Sequence, residues 1–121
     1  MNHEDILKRV RESAARKILV LAHAARQMSR PDRMISIVEV RNIVENGEVI
    51  EHYPDDVRGQ SCLLLGYGEH GRPIHIVCSP KDEYLAIITA YLPYEQDWED
   101  GFRKRRGKVY EMSILSRGNG V

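Results

Sequence analysis

Cysteine is scarce in this 121-residue chain, with Cys62 and Cys78 standing alone, which excludes the disulfide framework of a small secreted domain. Neither a CxxC nor an HxxxH spacing occurs, so a zinc site built on the cysteines would need two further ligands that no motif supplies. No apolar run exceeds five residues, Ile18–Ala22 being one, and a bilayer span needs about twenty. Met1–Arg11 mixes acids with bases and has no apolar stretch of the secretory kind. The glycines Gly66, Gly68 and Gly71 stand in a turn between two strand-like segments, not in the strand–loop–helix setting of a phosphate loop. No internal repeat or low-complexity tract is visible. These absences lead us to expect a cytoplasmic chain with no metal and no cofactor.

What is present suits one small folded unit. Hydrophobic residues make up 42% and charged residues 30% of the chain, an ordinary globular balance. The length allows one core, and we assign residues 1–108 to a single domain and 109–121 to a tail. The zero net charge hides a division: residues 1–41 carry +4, 42–102 carry −9 and 103–121 carry +5. Such a chain suits a polyanion binder with a separate surface for a basic partner, and chance scatter over three windows would serve as well.

The period of the apolar residues changes midway. Asn2 is placed to cap a first helix, with Ile6, Leu7, Val10 and Ala14 on one face. Ile18–Leu21 reads either as continued helix or as a short strand, and a helix over His23–Ser29 should stop before Pro31. Ser36 and Glu39 form a capping box. Ile37, Val40, Ile43 and Val44 follow as one stripe, and Gly47 is expected to end the helix in a left-handed conformation. Strands follow at Glu48–His52, Ser61–Tyr67, Pro73–Ser79 and Tyr84–Tyr91. The second and third pair as a hairpin that sets His75 opposite Leu65 and Cys62 opposite Cys78. Tyr94–Arg106 is read as a terminal helix with Trp98 and Phe102 inward, weakened at Gly101 by roughly 1 kcal/mol. The fold class is therefore α+β: two or three N-terminal helices packed on a four-stranded, mainly antiparallel sheet, with a short C-terminal helix.

The densest electrostatic feature is Arg103, Lys104, Arg105, Arg106 and Lys108. Five cations in six positions repel one another, and an RNA backbone would relieve that repulsion; a solvated helix end is the plainer alternative. Tyr91, Tyr94 and Trp98 nearby suit unpaired bases, although Trp98 also suits the core. His75 interrupts an apolar strand and His23 sits between alanines. Each is either a packed structural group or a proton carrier of the kind that metal-independent RNA cleavage requires. Cys62 and Cys78 read as buried thiols. Glu51, His52, Tyr53, Asp55 and Asp56 gather at a strand end, where they could serve as base or ligand, although acidic turns are commonplace.

Taken in order, the motifs resemble a bacterial family of unknown-function domains. They run from His23-Ala24 with Arg26, Met28 and Arg30, through Asn46–Glu51 and Tyr53–Asp56, to Ser61–Gly66. Arg72–Val77, Ile87–Tyr91 with Pro93, and Trp98 with Phe102 and Arg105-Arg106 complete the set. That family is similar to the RelE and BrnT toxins of toxin–antitoxin operons, which are metal-independent ribonucleases. The resemblance implies a RelE-like fold and RNA, on or off the ribosome, as substrate. It also implies a cognate antitoxin carrying a zinc-finger or helix-turn-helix part. It places polar residues at His23, His75, Thr89, Tyr91, Arg103 and Arg106. The arginine–methionine pair usual in the family is interrupted here as Arg26-Gln27-Met28. The expectation is a toxin-like endoribonuclease with His23, His75, Tyr91, Arg103 and Arg106 catalytic, and Arg30, Lys104, Arg105 and Lys108 binding RNA. Two rivals are a non-catalytic RNA- or protein-binding adaptor of the same fold and a small metal-dependent hydrolase.

Overall fold

The computed structural model describes residues 3–107; Asn2, Lys108 and the tail from 109 onward, with the roles expected of them, lie outside the described residues. Three helices come first: α1 (His3–Arg16), α2 (Ala22–Met28) and α3 (Ile37–Asn46). A short strand, β1 (Ile18–Val20), lies between the first two. The other strands of the main sheet are β2 (Glu48–Tyr53), β3 (Ser61–Tyr67), β4 (Pro73–Pro80) and β5 (Leu85–Tyr91). Two further strands, β6 (Trp98–Glu99) and β7 (Lys104–Arg105), form a separate antiparallel pair. No described helix is long and apolar enough to cross a membrane.

The α+β class stands, with two corrections. The main sheet has five strands in the order β1-β5-β4-β3-β2, not four. Ile18–Val20 takes the strand alternative and pairs in parallel with β5, Ile18 against Leu85. Its three residues are too few for a separate antiparallel meander. They gain their hydrogen bonds from the exposed edge of β5, where the Leu21 N–H also reaches the Ile87 carbonyl at 3.1 Å. The second correction is that the residues expected as a C-terminal helix form the β6–β7 hairpin. Asp100, Gly101 and Phe102 all have positive φ, at 54°, 63° and 70°, which no right-handed helix accommodates.

The helices cover one face of the sheet. Ile6 and Val10 from α1, Ala24 and Met28 from α2, and Val40, Ile43 and Val44 from α3 meet Leu64, Ile74, Ile76 and Ile87 in one buried cluster. The capping box of α3 is formed as expected: the Ser36 hydroxyl accepts from the Glu39 N–H, and the Glu39 carboxylate accepts from the Ser36 N–H. Gly47 ends the helix by a different route from the one expected. Its φ of −81° is not left-handed. A Cβ there would stand 2.6 Å from the Ile43 carbonyl oxygen and 2.7 Å from that of Leu65, so the close approach of helix to sheet demands glycine.

The hairpin of β3 and β4 has the expected register, with Cys62 opposite Cys78, Leu65 opposite His75 and Tyr67 opposite Pro73. Because strand side chains alternate, Ile74 and Ile76 point to the helices and His75 points away. The same alternation turns Leu63 and Leu65 to the second face, where both are buried. The β6–β7 hairpin covers this face.

Candidate active site

A row of side chains crosses the face turned from the helices. His75 on β4 stands between Leu65 on β3 and Tyr91 on β5. Its ring is fully buried and both nitrogens are engaged: Nδ1 lies 3.1 Å from the Tyr91 hydroxyl and Nε2 lies 3.0 Å from the Phe102 carbonyl oxygen. A carbonyl only accepts, so Nε2 carries a proton. Burial lowers the pKa of His75, outweighing the opposing bond to Phe102 and the charge of Glu51, so the ring is neutral near pH 7. Its Nδ1 must then accept from the Tyr91 O–H. Burial also raises the Tyr91 pKa, which keeps that proton on the phenol. Trp98 packs edge-on against the imidazole, with ring centroids 4.4 Å apart.

The cationic segment folds back over this row. Arg105 forks onto Glu51 with Nε and Nη2 at 2.8 and 3.1 Å, while its guanidinium carbon lies 4.8 Å from the Trp98 ring centre. The Tyr53 hydroxyl donates to the same carboxylate. Its own pKa is pushed up to about 12 by burial and then by Glu51. Burial opposes ionisation of Glu51, but the bonds from Arg105 and Tyr53 together lower its pKa. Arg103 forks onto Glu48, with Nη2 at 2.8 Å. Arg106 donates from Nε to the Glu95 carbonyl at 2.9 Å and lies 3.5 Å from Glu99.

The pairing depends on an irregularity in β2. Glu48 is opposite Leu65 and Glu51 is opposite Leu63, with the register shifting between Val49 and Glu51. In a regular strand, residues three apart face opposite ways; the bulge adds one residue and turns both carboxylates to the His75 face. Arg103 and Arg105, two apart on the covering segment, meet them there. The repulsion among the C-terminal cations is thus largely relieved within the molecule. The acidic middle and basic end of the chain are, in part, two sides of one contact.

Not all expected site residues gather here. Tyr91, Arg105 and Arg106 do, around a pocket of about 350 Å³ lined also by Asp97 and Trp98, and His75 lies buried behind it, bonded to Tyr91. Arg103 lies beside them on Glu48. His23 is exposed on α2, whose buried residues enter the opposite, helix-side core. Arg30 pairs with Asp32 at 3.3 Å in the loop after α2, away from the row. Lys104 is exposed on β7, and Thr89 is half-buried opposite Val77. Cys62 and Cys78 are free and buried on the helix side, with sulfurs 4.0 Å apart. Among the described residues, no three or more His, Cys, Asp or Glu side chains are grouped to hold a metal.

Sequence reasoning set Glu51 and Tyr53 aside as parts of an acidic turn and gave Glu48 no role beyond opening a strand. The available signal was the spacing of Glu48 and Glu51 against that of Arg103 and Arg105, which is informative only once the bulge is known. It gave Glu39 only its capping role and did not foresee its ion pair with Arg72, at 2.9 Å, which joins the α2–α3 loop to the β3–β4 turn.

The chain belongs to the family described as a domain of unknown function, DUF4258, which it matches over residues 20–92. No curated protein and no solved structure matches it. His75, Tyr91 and Glu51 fall within the matched residues, while Trp98 and the arginines of the covering segment lie beyond them. The family description carries no activity.

Proposed function

We propose that this chain is a toxin-like, metal-independent endoribonuclease. One observation supports it: Tyr91 and two arginines line a single pocket, and the Tyr91 hydroxyl is bonded to a neutral imidazole buried behind it. The fully buried His75 does not touch RNA directly. Tyr91 takes the proton of the ribose 2′-hydroxyl while passing its own to His75 Nδ1, and the 2′-oxygen attacks the adjacent phosphorus. The phosphorus–5′-oxygen bond breaks, the leaving oxygen takes a proton from water, a 2′,3′-cyclic phosphate remains, and the hydroxide left by that water recovers the proton from His75 through Tyr91. The imidazolium so formed keeps its Nε2–H on the Phe102 carbonyl and gains a Nδ1–H facing Tyr91. Arg106 steadies the charge gathering on the phosphate. A cognate antitoxin would silence the enzyme by covering this face.

A non-catalytic adaptor is the second reading, favoured by the sealed imidazole and by the internal pairing of Arg103 and Arg105. Incubating the purified chain with a short RNA separates the two. The nuclease leaves 2′,3′-cyclic ends, and Tyr91→Phe slows it ~10²–10⁴-fold, the usual loss of a proton-transfer group. Uncut RNA, or a Tyr91→Phe variant as fast as the parent, overturns the nuclease mechanism. Expression in bacteria adds a second readout: a toxin arrests growth, whereas an adaptor is tolerated.

A further inference from the structure

We propose that the pocket beside Trp98 selects guanine, so that RNA is engaged at guanosine; the inference rests on the RNA reading above and names its preferred base. The pocket volume of about 350 Å³ lies at the small end of ligand sites. One wall is the guanidinium of Arg105. Its edge is occupied by Glu51 and one of its faces by Trp98, and its side chain remains 59% exposed. A planar cation fixed at its edge and backed by an indole is a stacking surface for a base.

Opposite selection comes from Asp97. Its backbone is fixed at both ends, the N–H donating to the Tyr94 carbonyl at 3.0 Å and the carbonyl accepting from the Arg106 N–H at 3.1 Å. Asp97 lines the pocket, and its carboxylate has neither a hydrogen bond nor an ion pair among the described residues. The nearby acids Glu48, Glu51 and Glu99 are each paired with an arginine, and Glu95 and Asp100 do not line the pocket. An ionised carboxylate is purely an acceptor. Guanine alone among the four RNA bases offers it two adjacent donors, N1–H and the 2-amino group. Adenine and cytosine set their single amino group beside a ring nitrogen lone pair, which a carboxylate repels. Uracil sets its one N–H between two carbonyls. Gln96, which also lines the pocket, carries an amide N–H that suits the guanine O6.

Trp98 is the only tryptophan of the chain and lines the pocket, so its fluorescence reports occupancy. The full chain is titrated with the 3′-monophosphates of guanosine, adenosine, cytidine and uridine. We expect guanosine monophosphate to quench Trp98 with a Kd at least tenfold below the other three. Asp97→Asn should bring the four within about threefold; Asp97→Ala serves as a second variant, with circular dichroism verifying its fold. Four equal affinities in the parent, or a guanine preference that survives in both variants, refutes the role of Asp97 while leaving RNA cleavage intact. Absence of quenching by any nucleotide, in a preparation that still cuts RNA, refutes the pocket as the base site. Absence of both binding and cleavage removes the nuclease reading as well.

Discussion

Replacing Arg72 with alanine tests the tightest polar junction in the fold. Glu39 is 5% exposed and accepts from the Ser36 and Glu69 N–H groups at 3.0 and 2.8 Å. It also accepts from Arg72 Nε and Nη2 at 3.2 and 2.9 Å. Arg72 donates onward to the Arg33 and Met34 carbonyls at 2.6 and 2.9 Å. Burial alone would raise the Glu39 pKa, yet the bonds from Arg72, Ser36 and Glu69 hold it at about 2. Removing the guanidinium strands a buried carboxylate with two backbone donors. Such losses cost about 3–5 kcal/mol for a fully enclosed pair. Because the Arg72 side chain is 28% exposed, water would offset part of this, and we expect a loss of about 2–4 kcal/mol. In a domain of this size that lowers Tm by about 10 °C, measurable by thermal circular dichroism. The pH dependence has a definite sign. A carboxyl whose folded pKa lies below its unfolded one stabilises fully above the unfolded value of 4.5, and that contribution is lost as pH falls toward 2. Arg72→Ala should therefore flatten the stability lost between these limits, and Glu39→Gln should abolish the Glu39 part of it. A variant melting within about 2 °C of the parent, with an unchanged acid limb, would refute the argument.

Other consequences are equally open to measurement. His75 has a folded pKa below its unfolded one, so its stabilising contribution is complete above about pH 6.5 and declines as the unfolded ring takes up protons below that. Imidazole NMR shifts should show His75 neutral at pH 7, and a protonated ring there would contradict the assignment of its two hydrogen bonds. Gly47→Ala forces a Cβ against two backbone oxygens and should cost about 1–3 kcal/mol, as overpacking does; an unchanged urea midpoint would count against it. Cys62 and Cys78 should resist a thiol reagent in the native protein and both react in denaturant, because both are buried and the Cys78 pKa is raised by Cys62 and by burial. Rapid native labelling would show that the helix-side core opens.

Local signals were legible in the sequence, and those that depend on distant neighbours were not. The capping box at Ser36 and Glu39 and the register of the β3–β4 hairpin follow from residues only a few positions apart, or joined by one turn. The strand at Ile18–Val20 remained ambiguous because its partner is Leu85–Ile87, and no local pattern records a parallel pairing so remote. Trp98 and Phe102 stand four apart in both a helix and a tight hairpin, so their spacing could not distinguish them; positive φ at three successive residues did. His75 was recognised as a polar break in an apolar strand, but its covering carbonyl belongs to Phe102. The bulge that turns Glu48 and Glu51 to one face leaves no compositional mark. The cations at the end of the chain were read as waiting for a polyanion, whereas two of them close onto those carboxylates.

The parallel pairing of β1 with β5 also governs the order in which the molecule is assembled. During synthesis β1 emerges early, but the edge that receives it does not exist until β5 has been made and has joined β4. Residues Ile18–Val20 must therefore wait, with exposed Leu19 and Leu21 beside them, while the antiparallel meander zips from short turns. A nascent chain stalled before Leu85 would hold that apolar segment unpaired, an opening for chaperones or for misassociation with a neighbouring copy.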